Sequence, residues 1–291
     1  MSDRITSIGV VGAGTMGAGI AQVAILSGFQ VLLYDAVGAA LAKGQSRIAQ
    51  GLSRAVEKGH LRADDVEAAL RRLSAIHQLT ELRGAMFIIE AAPEELPLKQ
   101  RLFTELDGLA DPAAILATNT SSLSVTAIAG ATRRPERVVG MHFFNPVPLM
   151  KLVEVVASQR TDPAVVEETM ALARRLGKAP VRAKDTPGFI VNRIARHFSL
   201  EALRILGEGR IGHDHIDRVM KGAGRFRMGP FELMDLIGVD VNFAVSRSVF
   251  EAFFHDPRFR PDPIQQRMVE SGLLGRKTGR GFYEYPEGQK R

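Results

Sequence analysis

The stretch ITSIGVVGAGTMGAGIAQVAILSGFQVLLYD, residues 5–35, decides the fold of the chain. It opens with an apolar run that is long enough for one buried strand, and three glycines follow in G-x-G-x-x-G spacing at Gly12, Gly14 and Gly17. A periodic apolar segment then predicts a helix, and a second apolar run stops at Asp35. This order predicts a βαβ unit that binds a dinucleotide, and it disfavours the alternative of a glycine turn without a ligand.

Each part of this unit has a physical role at a dinucleotide. Gly12 makes the tight turn, Gly14 lets the backbone approach a pyrophosphate, and Gly17 lets the helix pack closely against the strand. The phosphates then lie at the helix N-terminus, where backbone N–H groups lack partners. Asp35 suits a ribose 2′-hydroxyl and would repel a 2′-phosphate, so the sequence predicts NAD rather than NADP. The expected cofactor contacts of this unit are Gly12, Gly14, Thr15, Met16, Gly17 and Asp35.

The composition is that of a globular protein without cysteine. Of the 291 residues, 45% are hydrophobic and 24% are charged. No apolar run approaches the ~20 residues of a membrane span. The absence of cysteine excludes disulfides, thiolate nucleophiles and cysteine-ligated zinc, and it fits a reducing compartment. Neither end shows a basic segment followed by an apolar core, so we expect a cytoplasmic protein without a signal peptide.

The net charge of +6 at pH 7 bears on the class of partner. An arginine-rich surface explains most of this charge, and attraction to a small polyanionic molecule is the sharper interpretation. The arginine pairs at 71–72, 133–134 and 174–175 are dispersed, and no aromatic residues interleave with them to stack bases. We therefore expect neither a nucleic acid nor a membrane as partner.

Residues 38–80 are predicted to form a helical hairpin inserted between two strands of the sheet. The segment is rich in helix formers, Gly59 breaks it in two, and acids precede the amphipathic pattern of Val66, Leu70 and Leu73. No third strand is expected immediately after the βαβ unit. The hairpin also carries basic residues at spacings near one and two helical turns, which taken alone favour a solvated face over a ligand surface. These residues are Lys43, Arg47, Arg54 and Lys58.

Polar residues follow two further predicted strands. The strand over 86–89 leads to Glu94, and the strand over 115–118 leads to the polar cluster at 119–122. In an open α/β sheet, ligands bind beyond the carboxyl ends of the strands. We therefore expect Glu94 and the cluster to lie near the cofactor, although the hydroxyls of the cluster could instead cap a helix.

A histidine and a glutamate near two later strands form a candidate acid–base pair. The strand predicted over 137–140 runs into an irregular apolar turn that contains His142, and Glu154 interrupts an apolar run over 152–156. A buried carboxylate without a partner is costly, and His142 across the turn is the nearest candidate partner. A histidine held by a carboxylate is a tuned general acid or base. The alternative is a satisfied core histidine and a glutamate that caps another group.

The pattern changes near residues 184–188, where we place the domain boundary. A helix over 165–176 and a short strand over 179–183 complete the part before it. Helices are expected beyond it over 188–207, 214–220, 231–237 and 241–254, with one possible strand at 282–283. The sequence thus predicts an α/β domain over residues 1–185 and an all-α domain over residues 186–291.

Six motifs are spread along the chain, and the resemblance that they carry covers essentially the whole of it. They are GAGTMGAGIAQVA, TNTSSLS, MHFFNPVPLMKLVEVV, KDTPGFIVNRI, MGPFELMDLIGVD and GRKTGRGFYEY. In this order they resemble the L-3-hydroxyacyl-CoA dehydrogenase family, specifically its short bacterial 3-hydroxybutyryl-CoA dehydrogenase branch. The resemblance implies a Rossmann-type NAD-binding domain with the inserted hairpin, followed by a helical domain for substrate binding and dimerisation.

The resemblance implies the reversible, NAD-linked oxidation of an L-3-hydroxyacyl-CoA to a 3-ketoacyl-CoA, without a metal. His142 would take the hydroxyl proton as the hydride leaves C3, and Glu154 would orient His142 and stabilise its protonated form. Ser121 and Asn192 would hydrogen-bond the reacting oxygen or the thioester carbonyl. Because Asn192 belongs to the helical domain, the resemblance implies a site in the cleft between the domains.

The resemblance also assigns contacts to the cofactor and to CoA. The cofactor contacts carried over from the family pattern are Asp35, Glu94, Lys99, Ser121, Asn145 and Lys277. Lys58 on the hairpin matches a basic residue that contacts the CoA phosphates, which reverses the interpretation of that face as merely solvated. Gly51 is a departure, because some relatives carry a CoA-contacting serine there, and this leaves the register of CoA on the helix open.

Three other functions stay open at this point. A 3-hydroxyadipyl-CoA dehydrogenase of aromatic-acid degradation uses the same machinery, and no single arginine can be assigned to a distal carboxylate. A gulonate-type or crystallin-like relative would not need the basic hairpin, and its sequence around His142 should differ from HFFNPVP. A non-catalytic NADH-binding protein is disfavoured by the intact set of Ser121, His142, Glu154 and Asn192.

The resemblance implies a homodimer, because helices of family members pack this domain against a second copy. The apolar faces around four residues suit such an interface, and an intrachain core is an equal interpretation. These residues are Phe231, Leu233, Leu236 and Ile237.

Overall fold

The chain folds into two compact units, with the division between Thr186 and Pro187. The structure is a computed structural model that describes residues 5–286. The first unit contains a sheet flanked by helices, and the second is helical, which confirms the predicted α/β architecture followed by an all-α part. Within residues 5–286, no helix is long and apolar enough to cross a membrane.

An eight-stranded sheet lies at the centre of the first unit. Its strands are β1 (Ser7–Val11), β2 (Gln30–Tyr34), β3 (Leu73–Ile76), β4 (Phe87–Glu90), β5 (Ile115–Thr118), β6 (Val138–Phe143), β7 (Leu152–Ala157) and β8 (Ala179–Lys184). Their order is β3-β2-β1-β4-β5-β6-β7-β8, and neighbours are parallel except for the antiparallel pair β6 and β7. The chain switches direction across the sheet between β1 and β4, and such a switch point is where open α/β sheets bind ligands.

Helices cover both faces of this sheet. They are α1 (Thr15–Leu26), α2 (Gly38–Glu57), α3 (Ala63–Leu70), α4 (Leu96–Leu109), α5 (Val125–Ala129) and α6 (Pro163–Arg175). Successive residues of β4 point to opposite faces of the sheet. Phe87 and Ile89 belong to the hydrophobic cluster with α1, α2 and α6, whereas Ile88 belongs to the cluster with α4 and α5. A strand buried on both faces reads as a continuous apolar run, as β4 and β5 do in the sequence.

The inserted hairpin is shorter than predicted, and a third strand follows it. Its helices α2 and α3 flank Gly59, which has a φ of 71°. The prediction of helix up to residue 80 was wrong beyond Leu70, because Leu73–Ile76 forms β3 and pairs in parallel with β2. Leu73 continues the helical spacing of Val66 and Leu70, so periodicity does not reveal this change, which depends on pairing with a strand 42 residues earlier.

The second unit contains five α-helices among its described residues. They are α7 (Val191–Gly207), α8 (His213–Gly222), α9 (Pro230–Ile237), α10 (Val239–Ala252) and α11 (Pro263–Glu270). Helix α7 begins later than predicted, because Gly188 and Phe189 have φ values of 73° and 47°, outside the helical region. The possible strand at 282–283 is not formed, since the N–H groups of Phe282 and Tyr283 donate to the carboxylate of Asp235 instead.

Candidate active site

The glycine loop between β1 and α1 leaves room for a pyrophosphate. Gly12 has a φ of 101°, and a Cβ there would lie 2.6 Å from the carbonyl oxygen of Ala91. A Cβ on Gly17 would lie 1.7 Å from the carbonyl oxygen of Gly12, so the close approach of helix and loop requires glycine. Gly14 faces open space, with no heavy atom within 4 Å of an added Cβ. The loop therefore fits the backbone approach that a dinucleotide needs.

The start of α1 and the end of β2 complete the fit to the cofactor. No side chain caps the first turn of α1, and that turn, with Thr15 and Met16, contains no acidic residue, so its N–H groups and dipole favour phosphate. Asp35 lies beside the glycine loop, since its Oδ2 accepts from the N–H of Ala13 at 2.8 Å and its Oδ1 from that of Val37 at 2.9 Å. The carboxylate is thus held where it suits a ribose hydroxyl.

A buried ion pair lies at the carboxyl end of β4. Glu90 is 0% exposed and Lys99 is 1% exposed, and Lys99 Nζ lies 2.6 Å from Glu90 Oε1. The same carboxylate accepts from the hydroxyl of Thr118 at 2.7 Å and from the N–H of Ala92 at 2.7 Å. Burial of both charges makes these bonds necessary, because an unpaired buried charge is strongly destabilising.

Glu94 connects this ion pair to the loop after β5. Its Oε1 accepts from the hydroxyl of Thr120 at 2.6 Å and from the N–H and hydroxyl of Ser121 at 2.8 and 3.2 Å. Lys99 Nζ lies 3.5 Å from its other oxygen. Burial opposes ionisation of Glu94, but Lys99 and the donors from Thr120, Ser121 and Ser122 outweigh it and lower the pKa of Glu94 below its usual value. The structure thus brings together the predicted site residues Glu94, Lys99 and Ser121.

His142 and Glu154 face each other across the antiparallel pair β6 and β7. The two residues are register partners, and His142 Nδ1 lies 2.8 Å from Glu154 Oε2. His142 is 6% exposed and Glu154 is 0% exposed. The ring of Phe144 lies 4.4 Å from the imidazole, centroid to centroid. A buried imidazole held by a carboxylate can accept and release a proton at its other nitrogen.

His142 does not lie in a turn, as the sequence suggested. Strand β6 extends to Phe143, three residues beyond the predicted end of the strand, and His142 is its fifth residue. The irregular segment begins only afterwards and contains Asn145, which is exposed. The antiparallel return of β7 continues the ladder past Gly140, and this pairing is not visible in the local sequence.

A buried lysine holds the loop that carries Asn145. Lys178 donates to the carbonyl oxygens of Val147 and Met150. It is 9% exposed, and burial, together with the nearby charge of Lys151, lowers the pKa of its ammonium group. The loop between β6 and β7 is therefore fixed at its base.

The basic face of the hairpin is open to solvent. Helix α2 buries Leu41, Gly44, Ile48 and Leu52, and its basic residues lie away from that stripe. Lys58 caps the C-terminus of α2 and is exposed. Within residues 5–286, no carboxylate pairs within 4.0 Å with the four predicted residues of this face. They are Lys43, Arg47, Arg54 and Lys58. A Cβ on Gly51 would lie 2.8 Å from the amide oxygen of Gln22, so Gln22 occupies the space next to that glycine.

Two predicted site residues belong to the second unit. Asn192 is the second residue of α7 and is half-buried. Lys277 lies in a short 3₁₀ turn, and its Nζ is 2.6 Å from the carboxylate of Asp240. Their contact with a ligand of the first unit stays a prediction.

Sequence reasoning missed Glu90 and one contact of Asn119. Glu90 ends the apolar run FIIE, and a carboxylate in an apolar run is the same signal that singled out Glu154. Asn119 lies in the predicted polar cluster, and its Oδ1 accepts from the N–H of Phe143 at 2.9 Å, so it ties the loop after β5 to the residue that follows His142. No pattern in the local sequence indicates this hydrogen bond between Asn119 and Phe143.

The chain matches models of one known protein family over both of its units. Residues 7–186 match the family model described as 3-hydroxyacyl-CoA dehydrogenase, NAD binding domain, and residues 188–285 match its C-terminal domain. A 3-hydroxyadipyl-CoA dehydrogenase from Escherichia coli is 47% identical over 98% of this chain. A probable 3-hydroxybutyryl-CoA dehydrogenase from Bacillus subtilis is 42% identical over 98% of this chain.

The lengths of these relatives differ. The chain spans 60% of the Escherichia coli protein but 99% of the Bacillus subtilis protein. Among solved structures, the (S)-3-hydroxybutyryl-CoA dehydrogenase from Ralstonia eutropha superposes with a TM-score of 0.93 and 41% identity, covering 97% of this chain and 100% of that one. The likeness therefore extends over both units of the chain.

Proposed function

Because the chain belongs to the 3-hydroxyacyl-CoA dehydrogenase family of NAD-dependent oxidoreductases, we propose that it interconverts L-3-hydroxybutyryl-CoA and acetoacetyl-CoA. The observation that carries the proposal is the 2.8 Å contact between His142 Nδ1 and Glu154 Oε2, both on buried side chains. Alcohol oxidation of this kind needs a base and a cofactor, and it needs neither a metal nor a thiol.

His142 is the acid–base residue in this proposal. Donation of its Nδ1–H to Glu154 fixes the tautomer whose lone pair lies on Nε2. In the direction of oxidation, Nε2 takes the proton of the substrate 3-hydroxyl, and the Glu154 carboxylate stabilises the resulting imidazolium. The glycine loop and Asp35 would hold NAD, which would supply the acceptor for the hydride from C3 of the substrate.

Further residues of the site bind and orient in this proposal. Ser121 hydrogen-bonds the reacting oxygen or the thioester carbonyl, and the support for this is its place in the loop that Glu94 holds at the carboxyl end of β5. Asn192 shares this task, and Asn145 and Lys277 contact the cofactor; these three assignments rest on the sequence motifs that contain them.

Lys58 binds the CoA phosphates in this proposal. Its exposure and its lack of a carboxylate partner within 4.0 Å among residues 5–286 support the assignment, because an unpaired cation is available to a phosphate. The neighbouring basic residues of α2 raise the local positive potential and attract the same polyanion.

The first experiment is to follow NADH oxidation by absorbance with acetoacetyl-CoA as substrate. We expect turnover by the wild type and a loss of several orders of magnitude in His142→Gln. The matched control is His77→Gln, which changes an exposed histidine of the same unit and should keep wild-type turnover. Binding of NADH without turnover would contradict the acyl-CoA assignment, whereas unchanged turnover in His142→Gln would contradict the role of His142.

A 3-hydroxyadipyl-CoA substrate is the second candidate, and a specific observation favours it. The Escherichia coli relative that carries this name is 47% identical to the chain. The kcat/KM values for acyl-CoA substrates of increasing length, with and without a terminal carboxylate, separate the two candidates. A preference for the six-carbon dicarboxyl substrate over its monocarboxyl analogue would favour the adipyl assignment.

A homodimer and a cytoplasmic location are further parts of the proposal. Of the four residues considered for the interface, Phe231 is fully buried within its own unit, whereas Leu236 and Ile237 are 42% and 44% exposed. Phe231 therefore belongs to the intrachain core, and the two exposed residues support a contact with a second copy. Light scattering at micromolar concentration tests this, and a monomer mass would contradict it.

A further inference from the structure

We propose that Glu90 is a positioning residue of this active site, which anchors Lys99 and the turn after β4 and thereby sets the place of Glu94 and Ser121. Glu90 itself is too deeply buried to reach a ligand, so it acts through the groups that it binds. The inference deepens the proposed function, because the role of Ser121 in the reaction rests on that function.

Glu90 links three elements of the first unit. It is the last residue of β4, and its carboxylate binds Lys99 of α4 at 2.6 Å and Thr118 of β5 at 2.7 Å. It also accepts from the N–H of Ala92 at 2.7 Å. Strong hydrogen bonds to a buried ion hold their donors in fixed geometry, because each donor would otherwise leave the charge uncompensated. Glu90 therefore fixes the carboxyl ends of two strands relative to the helix beside them.

The turn after β4 transmits this constraint to the glycine loop. Ala92 is held on both sides, since its N–H donates to Glu90 and its carbonyl oxygen accepts from Lys99 Nζ at 3.2 Å. The preceding carbonyl, that of Ala91, lies 2.6 Å from the position of a Cβ on Gly12. This turn therefore forms the surface against which the loop that binds the pyrophosphate packs.

Lys99 transmits the same constraint to the loop after β5. Its ammonium group lies between two carboxylates, at 2.6 Å from Glu90 and 3.5 Å from Glu94. Glu94 is thus available to bind Ser121, and it accepts hydrogen bonds from the N–H and the hydroxyl of that residue. Without the charge on Glu90, the nearest carboxylate to the buried ammonium is that of Glu94. We expect the ammonium to draw Glu94 towards itself and away from Ser121.

The experiment measures the Kd for NADH by fluorescence titration in Glu90→Gln, Lys99→Met and the double variant. Glu90→Gln keeps the shape of the side chain and removes its charge. We expect its Kd for NADH to rise about tenfold, which corresponds to about 1.4 kcal/mol. The amide oxygen of Gln can still accept from the N–H of Ala92, so the loss of charge acts through Lys99. The double variant should therefore bind NADH no more weakly than Lys99→Met alone.

The control is Asp107→Asn, which likewise removes the charge of a buried acid. Asp107 lies in α4, the helix that carries Lys99, and binds an arginine. Asp107 Oδ1 lies 2.7 Å from Arg134 Nε, and Asp107 is eight residues, or about 12 Å, along the helix from Lys99. This variant should lower the Tm and leave the Kd for NADH unchanged. A purely structural role for Glu90 predicts the same outcome for Glu90→Gln and would overturn the proposal.

The double variant keeps the test decisive where Glu90→Gln does not fold. It removes both charges of the pair, and replacing a buried ion pair as a whole is often tolerated. Weaker NADH binding by the double variant than by Lys99→Met would show that the charge of Glu90 acts independently of Lys99 and would overturn the proposal. The proposed function fails on a different result, the absence of acetoacetyl-CoA turnover by the wild type, which leaves the binding measurements interpretable.

Discussion

Replacing Glu154 by Gln tests the electrostatic part of the acid–base pair. The amide has the shape of the carboxylate and can still accept from His142 Nδ1, which now lies 2.8 Å from Glu154 Oε2. The substitution therefore keeps the orientation of the imidazole and removes the charge that stabilises the imidazolium. We expect kcat for hydroxyacyl-CoA oxidation to fall, because the imidazolium forms as the substrate proton is transferred.

The magnitude follows from the burial of the pair. An opposite charge within a few ångströms stabilises the charged form of a group by about 1.4–4 kcal/mol. His142 and Glu154 are 6% and 0% exposed, so water cannot replace the lost charge and a value well above the lower end of this range applies. A loss of about 2–3 kcal/mol in the transition state lowers kcat about 30- to 160-fold.

The assay is steady-state NADH formation from 3-hydroxybutyryl-CoA, with the Kd for NADH measured in parallel. The Kd should not change, because the substitution leaves the glycine loop intact. Glu167→Gln is the control, since Glu167 is an exposed acid of the same unit that pairs with Arg182, and it should keep the wild-type kcat. A kcat for Glu154→Gln within about twofold of wild type would refute the reasoning, because the estimated loss is more than tenfold.

Three further predictions concern the cofactor, the substrate and the pH dependence of stability. Gly17→Ala should abolish NADH binding in a fluorescence titration, because the added Cβ would lie 1.7 Å from the carbonyl oxygen of Gly12. Lys58→Ala should raise the KM for acetoacetyl-CoA about fivefold, the equivalent of about 1 kcal/mol for one phosphate contact, and should leave the KM for NADH unchanged. The lowered pKa of Glu94 stabilises the fold fully above pH 4.5, and this stabilisation is lost as the pH falls through the folded-state pKa. Glu94→Gln should therefore reduce the fall in Tm below pH 4.5, as measured by thermal denaturation across pH.

Each of these predictions has a control and a contrary result. Gly38→Ala adds a Cβ to a helical glycine with no atom within 4 Å of it and should bind NADH normally. Tight NADH binding by the Gly17 variant would contradict the packing argument. Arg62→Ala removes an exposed cation of the hairpin that pairs with Asp64, and an equal rise in KM there would remove Lys58 as a specific contact. An acid transition identical to that of the wild type would contradict the effect assigned to Glu94.

The sequence by itself determined the features that local patterns encode. Gly12 and Gly17 specify a turn that larger residues cannot adopt, and Gly14 leaves space in which the backbone can approach a ligand, so the βαβ unit and its cofactor follow from residue identity. A carboxylate in an apolar run requires a partner, and this rule led from Glu154 to His142. The first argument concerns a short stretch of chain and the second a large energetic penalty, so both can be made without knowing the tertiary structure.

Only the tertiary structure decided which distant groups meet. Residues 73–76 continue the helical spacing of the segment before them, but they form a strand because they pair with the free edge of β2. His142 lies within a strand because β7 returns antiparallel and extends the ladder past Gly140. Glu90, Lys99 and Glu94 are read separately along the chain, and the ends of β4 and β5 bring them into one network with Ser121. Pairing between strands depends on partners far away in the sequence, and local periodicity carries no information about them.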